Sequence, residues 1–539
     1  MTRPHHHQPG GAPCLAPLAQ PGRDPASARP GAGAPARRRG ALAALLALSL
    51  AACAPNAENM APPAADQPWV PQGDEAGLWS LKRSSKAAPA GTTPNFRIPA
   101  DPGLAALPKP AGVDLARTYQ LPQLIDLAQR TNPATRAAWQ QARQAALAVG
   151  MVEATYLPVI TASAIGGRQT LDTPVQDPLG KTVSVETTEE GTSQILALQW
   201  LVFDFGQRQA VAAAARQGAT AANVLFNGAH QRLIFEVAQS YYLYGAATQR
   251  RAFADSALKN ARAIDAAADA RAAQGLATSV ETAQAAQAVA QAELRRVEAE
   301  GAERDAYQTL LAAVGVNAPL RVDAAAAAHR PLPAPAAAPL DATVRMALAQ
   351  RPDVAASYAA LQASRSGVKA AQADYLPKVY AGGNVAWGSG DFDVGGLPTI
   401  GQQGSGTGLL VGATVPLYES GLRAANVRAA RARVAGAEAD FQRVQTAAVT
   451  EIVAARNALR TALESHRAAT ALVKAASTTS DAALGAYRNG VGTVDAAILA
   501  ETGLLDAREA QAEAHAAALV GAVNLAFVVG ALTSRDTLP

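Results

Sequence analysis

The sequence predicts a mixed α and β membrane protein in which two β-hairpins are set among very long helices. Three observations predict it. Two stretches alternate apolar with small or polar residues, the remainder is Ala-rich with helical spacing, and the whole layout is written twice. The first hairpin stretch runs from Thr155 to Gly206 (TYLPVITASAIGG, a polar loop, then SQILALQWLVFDFG). The second runs from Tyr375 to Gly421 (YLPKVYAGGNVAWG, a Gly-rich loop, then TGLLVGATVPLYESG).

A chain of 539 residues would ordinarily hold several domains, but that prior fails for elongated or repetitive chains. Charged residues are 17% and aromatics 5%, so large core side chains are scarce and helices are expected to pack closely through small residues. No apolar run reaches the roughly 18 residues of a membrane-spanning helix. The charge of +4 comes from the first 52 residues, where six arginines face Asp24 alone; the remainder is near −1 with no long basic run. A nucleic-acid partner is therefore not expected.

Residues 1–52 read as a leader with a lipoprotein signal. Arg37, Arg38 and Arg39 precede an apolar run from Ala41 to Ala52 that is too short to span a membrane. Leu50-Ala51-Ala52-Cys53 resembles a bacterial lipoprotein signal, which predicts a covalent lipid on Cys53, with no cofactor expected; ordinary secretory cleavage near Ala52 is the alternative. Ala54 rather than Asp follows, so the inner-membrane retention signal of such lipoproteins is absent. Residues 1–36, with His5, His6, His7 and Cys14, precede the signal and read either as an upstream start codon or as an extension. Their loss leaves one Cys and no disulfide. Residues 53–118 form a Pro-, Ala- and Gly-rich arm that forbids a long helix and reaches from lipid to folded body.

The body is a repeat. Pro352 follows Pro133 by 219 residues, as Tyr375-Leu376-Pro377 follows Tyr156-Leu157-Pro158. Beyond the hairpins the offset is 215: Gly421 follows Gly206, and Gly490 follows Gly275. Repeat 1 is 119–325 with its hairpin at 156–204, repeat 2 is 340–536 with its hairpin at 375–418, and a Pro/Ala linker, 326–339, joins them. The second hairpin loop is expected to be about four residues shorter. Each repeat predicts a helix of about 30 residues up to the YLP triplet, a hairpin, a helix from Gly206 or Gly421 on the order of 100 Å long, a break at Gly275 or Gly490, and a returning helix. Val211, Leu225, Leu233, Val237, Tyr241 and Tyr244 recur at the three- and four-residue spacing of helices packed as coiled coils.

In the hairpins, Leu196, Leu198, Trp200 and Val202 share one face, as do Leu409, Val411, Ala413, Val415 and Leu417. An apolar face opposite a small or polar one suits a transmembrane β-barrel whose strands cross in about 9–11 residues. A soluble sheet with one buried face gives the same pattern; the lipid signal and the helix length favour the barrel. Open edges cannot sit in hydrocarbon. Four strands cannot close alone, so the chain is expected to oligomerise, three copies giving twelve strands.

Enzyme chemistry is not expected. His230, His329, His466 and His515 have no ligand spacing. The Gly-rich GQQGSGTG near Gly401 lies between two predicted strands and reads as their loop, not as a phosphate cradle. Asp172, Asp177, Glu186, Glu189 and Glu190 are expected in the first hairpin loop, facing solvent.

Together the Asn-Pro at 132–133, the Arg-Pro at 351–352, the Leu-Pro at each strand start and the doubled layout resemble the outer-membrane efflux (TolC-like) family, over roughly residues 119–533. The resemblance implies a homotrimeric duct, a twelve-stranded outer-membrane barrel above a long periplasmic α-helical barrel of antiparallel helices. It also implies a periplasmic adaptor and an inner-membrane pump of the RND or ABC type as partners. In that architecture Gly275 and Gly490 are the helix-tip turns where the duct closes. Tyr487 matches a gate tyrosine, Glu281 an acidic gate position, and Asp495 falls one residue early. Gly492, Ala496 and Leu499 replace other gate residues. Glu281 reads as a cation-attracting ring or a solvated carboxylate, and Tyr487 as packing before gating. The expected function is a passive exit duct for efflux or type I secretion; a non-channel periplasmic coiled-coil lipoprotein is the alternative.

Overall fold

The computed structural model describes residues 112–176, 179–334, 339–394 and 398–533, with short pieces at 64–65, 96–97 and 102–105. The leader, Cys53, most of the arm, Asp177 and residues 335–338 of the linker lie outside the described residues. Met1–Pro108 and Lys109–Pro539 form two units. In the first, Pro102–Ala105 makes one 3-10 turn; the second holds all the elements below.

Strand β1 (Thr118–Tyr119) leads into α1 (Leu121–Thr131) and α2 (Pro133–Ala154). The expected helix of about 30 residues is thus two helices, and the second repeat breaks likewise into α6 (Leu340–Gln350) and α7 (Pro352–Ala373). The cause is the proline, whose ring clashes with a helical residue before it. Asn132 (φ −66°, ψ 129°) and Arg351 (φ −66°, ψ 128°) are both extended. Asn132 then caps α2 by accepting from the Ala134 N–H at 2.8 Å. Arg351 works differently: its guanidinium donates to Asp353 and Glu451, each at 2.7 Å, and to the Val528 carbonyl at 3.0 Å.

The long helices are α3 (Gln207–Ala273) and α8 (Leu422–Arg488), 67 residues each and so about 100 Å. Their returning partners are α4 (Ser279–Val314) and α9 (Val494–Val528). Helix α3 packs on α2, α4, α7 and α9, while α8 packs on α6, α7 and α9. The main core joins Leu124 and Ile125 of α1 to Val237 of α3 and Leu310 and Val314 of α4, all fully buried. Strand β4 (Arg321–Val322) pairs in parallel with β1 beside this core, and α5 (Ala324–Ala328) follows. Small residues set the approach here: a Cβ on Gly245 would stand 2.6 Å from that of Ala327. Among the described residues, no helix is long and apolar enough to cross a membrane.

The sheet comprises β2 (Val159–Gln176), β3 (Thr182–Phe203), β5 (Lys378–Val394) and β6 (Ile400–Thr414), antiparallel throughout in the order β2-β3-β5-β6. The two hairpins are therefore one sheet, joined where Leu198 faces Gly383. The strands have 18, 22, 17 and 15 residues, well beyond the expected 9–11. Residues expected in loops belong to the ladder: Asp172 faces Glu186, Arg168 faces Glu190, and Gly401 faces Asp391. Backbone pairing across the hairpin overrides the poor strand preference of Gly and Glu. Connections 177–181 and 395–399 are equally long, so the change of offset falls in the strands rather than in the loop. Val202 sits at a register irregularity between Leu201 and Phe203, which interrupts the alternating face expected there. Edge strands β2 and β6 are exposed along their whole length.

Candidate functional site

Each long helix is fixed to the sheet by a five-residue turn. In the first, Phe205 (φ 50°) and Gly206 (φ 88°) reverse the chain. Arg208 then turns back: its Nε and its backbone N–H both donate to Asp204 Oδ2 at 2.9 Å, and its guanidinium donates to the Thr155 carbonyl at 2.8 Å. The guanidinium also stands 4.6 Å from the Tyr156 ring centroid, a cation–π distance. Ser420 (φ 50°), Gly421 (φ 84°) and the Arg423–Glu419 pair at 2.9 Å repeat the turn in the second half. The sequence reading missed it, although the signal is legible: an acid, Gly and Arg at alternate positions, twice.

At the opposite ends of the long helices lie the turns at Gly275 (φ 73°) and Gly490 (φ 78°). Left-handed backbone of this kind is strained for any residue with a Cβ, which is why glycine ends both helices. Thr278 and Glu281 start α4 as a capping box: the Thr278 hydroxyl accepts from the Glu281 N–H, and the Glu281 carboxylate accepts from the Thr278 N–H, both at 3.3 Å. Thr493 caps α9 by accepting from the Ala496 N–H at 3.2 Å. Asp495 lies exposed in the first turn of α9, where the helix dipole favours a carboxylate.

Tyr487 is the centre of the tip. Only 1% exposed, it packs with Ile264, Ala268, Ala285, Val494 and Ala497, so four helices meet on one ring. Burial pushes its phenol above the usual range, the Arg271 charge pulls it down, and Glu281 pushes it up again. Arg271 was missed by the sequence reading; a basic residue in the last turn of each long helix, Arg271 and Arg488, was its signal. Further along, the Glu501 carboxylate of α9 takes bonds from Asn260 of α3 and from Ser480 of α8, the latter at 2.8 Å. Arg295 to Asp506 and Arg250 to Glu513, each at 3.0 Å, continue these ties from α4 and α3 to α9. The ties join the helix pair of the first repeat to that of the second. Among the described residues the tip and the helices behind it are held by packing and by charge.

Paired helices of this length below an open four-stranded sheet define the TolC-like outer-membrane channel fold. The chain belongs to the outer membrane efflux protein family, whose model matches residues 124–316 and 343–531. Protein CyaE of Bordetella pertussis is 27% identical over 446 residues, 80% of this chain and 90% of that protein. Outer membrane protein OprJ of Pseudomonas aeruginosa is 25% identical over 456 residues, 84% of this chain and 87% of its own. The solved structure of CusC, at 19% identity, has the same fold with a TM-score of 0.63 over 81% of this chain and 99% of that one. The protein is thus an outer-membrane efflux or secretion channel component.

Proposed function

We propose that three copies of the chain close into a passive exit duct through the outer membrane, continued by a periplasmic helical barrel. One observation carries this reading: the chain's own repeat is incomplete at both ends. Helix α7 packs between α3 and α8, whereas its equivalent α2 rests on α3 with no comparable seat on α8. Likewise β3 pairs with β5, while their equivalents β6 and β2 are open edges. Repeating the internal contact between chains satisfies both at once, with β6 of one chain against β2 of the next and α8 against α2. This is a head-to-tail interface that closes as a ring. Shifting the Leu198–Gly383 pair by the repeat offsets puts Ala413 opposite Ala164 of the next chain. Closure also removes the free strand edges that hydrocarbon does not tolerate.

In this reading a periplasmic adaptor and an RND or ABC pump of the inner membrane supply the cargo and the energy. Lipid on Cys53 adds a second hold on the outer membrane, since each buried CH₂ contributes about 0.8 kcal/mol. Detergent-extracted protein reconstituted in planar bilayers tests the duct: stepwise conductance supports it, and silence even after the tip is loosened by Arg271→Ala sinks it. Such silence would favour a coiled-coil lipoprotein without a channel. For the anchor, labelled palmitate should enter the wild type and not Cys53→Ser; equal labelling of both refutes it.

A further inference from the structure

His466 of α8 and His515 of α9 face one another across the second helix pair, well away from the tip and the sheet. Their ring centroids are 5.5 Å apart and the rings are tilted by 54°. Two imidazoles bound to one tetrahedral ion, at about 2.0–2.1 Å per bond, hold their centroids roughly 5 to 5.5 Å apart. The spacing fits a shared ion, and it also lies in the range of an ordinary contact between tilted rings.

A second observation concerns the outer side of the pair. His515 Nε2 lies 3.0 Å from the carbonyl oxygen of Arg330, in the linker between the repeats. A carbonyl only accepts, so Nε2 carries the hydrogen, and in the neutral ring Nδ1 keeps its lone pair. Metal-binding histidines are held in this way, one nitrogen bonded to a backbone carbonyl and the other left for the ion. Both rings are half-buried, so an ion can still reach them.

We infer that His466 and His515 form a binding site for a divalent transition-metal ion of the kind that prefers imidazole, such as Zn²⁺, Ni²⁺ or Cu²⁺. Among the described residues no third His, Cys, Asp or Glu completes a cluster. The site is therefore open, with water or an incoming ligand in the remaining positions, and its affinity is that of two imidazoles. A bound ion cross-links α8 to α9 and, through the Arg330 carbonyl, steadies the linker that joins the two repeats.

Titration of the full protein in detergent with Zn²⁺ by calorimetry tests this. The expected result is one saturable site per chain, weakened at least tenfold in His466→Ala and in His515→Ala and unchanged in His230→Ala, which lies on α3. Binding by His5, His6 and His7 would persist in both variants and is thereby separated. Equal affinity in the wild type and both variants overturns the proposal, as does the absence of saturable binding up to millimolar Zn²⁺. Should a variant fail to assemble, electron paramagnetic resonance of Cu²⁺ on the wild type decides. Hyperfine coupling to two imidazole nitrogens supports the site, and coupling to one or none overturns it.

Discussion

Arg271 donates to the backbone carbonyl of Tyr487 at 3.1 Å and holds its guanidinium 5.1 Å from the centroid of the same ring. One side chain thus grips both the backbone and the ring of a residue on the other long helix, 216 positions away, at the turn where each helix ends. A cation–π contact contributes about 0.5–1 kcal/mol at a partly wet site, and a hydrogen bond about 0.5–1.5. Arg271→Ala is therefore expected to shift a closed–open balance at the tip by roughly tenfold towards open. Single-channel recording reads this as a rise in open probability, and an unchanged or lower value would show that Arg271 does not hold the tip closed.

Tyr487→Phe separates the ring from its hydroxyl. The hydroxyl is buried and has no hydrogen-bond partner among the described residues. The packing with Ile264 and Val494 depends on the ring alone. Removing a buried polar group that is unpaired is neutral or stabilising. The phenylalanine variant should therefore unfold at the same temperature as the wild type or higher, while Tyr487→Ala, which empties a four-helix contact, loses about 3–5 kcal/mol.

Burial decides which ion pairs hold the fold. The side chains of Arg208 and Asp204 are 11% and 7% exposed at their turn, whereas those of Arg130 and Asp126 are 65% and 66% exposed on α1. Breaking a buried pair leaves one uncompensated charge and costs about 3–5 kcal/mol. An exposed pair contributes about 0–1 kcal/mol. Arg208→Ala should lower the unfolding midpoint, followed by circular dichroism in urea, far more than Arg130→Ala. Equal shifts would mean that the strand-to-helix turn is not a point of stability.

The contrast also explains what the sequence could tell. Long periods were legible: the glycines at 275 and 490, the prolines at 133 and 352, and the 67-residue helices all follow from local conformational preference repeated at fixed offsets. Strand length was not, because Glu186 to Glu190 and Gly401 to Gly408 read as loop until their partners across the hairpin are known. The tip residues were legible as positions but not as contacts. Glu281 reads as a free carboxylate, yet its oxygen bonds the Thr278 N–H three residues back. Arg271 and Tyr487 are too far apart in the chain for any local pattern to pair them.

Glu509 of α9 gives the pH behaviour of the helix pairs. Burial raises its carboxyl pKa; Arg250 and Arg295 oppose this, and Asp506 and Glu513 add to it. An acid raised in the folded state binds its proton more tightly there than in the unfolded chain, so its ionisation weakens the fold. Its contribution to stability therefore rises as pH falls through the folded-state value towards the unfolded one, about 4.3. Glu509→Gln should be more stable than the wild type at pH 7, and the two should converge as the pH approaches about 4.3. A glutamine variant that is less stable at pH 7 would mean that the attraction of the two arginine charges outweighs burial.

The proposed ring makes a prediction that no isolated chain can satisfy. Gln207, at the start of α3, donates to Asp374, at the end of α7, at 3.1 Å. Shifted by the repeat offsets of 219 and 215, Asp374 becomes Thr155 and Gln207 becomes Leu422. Those residues stand at the end of α2 and the start of α8, two helices that lack in one chain the packing that α7 and α3 have. If the internal contact is repeated between chains, Thr155→Cys with Leu422→Cys brings two thiols of neighbouring chains within reach of a disulfide or a short bismaleimide. Oxidation should then give dimer and trimer bands on a denaturing gel, with neither single variant giving a trimer, because a trimer needs two links through its middle chain. A doubly substituted protein that remains monomeric on the gel, while extracted and folded normally, would show that α2 takes some other partner.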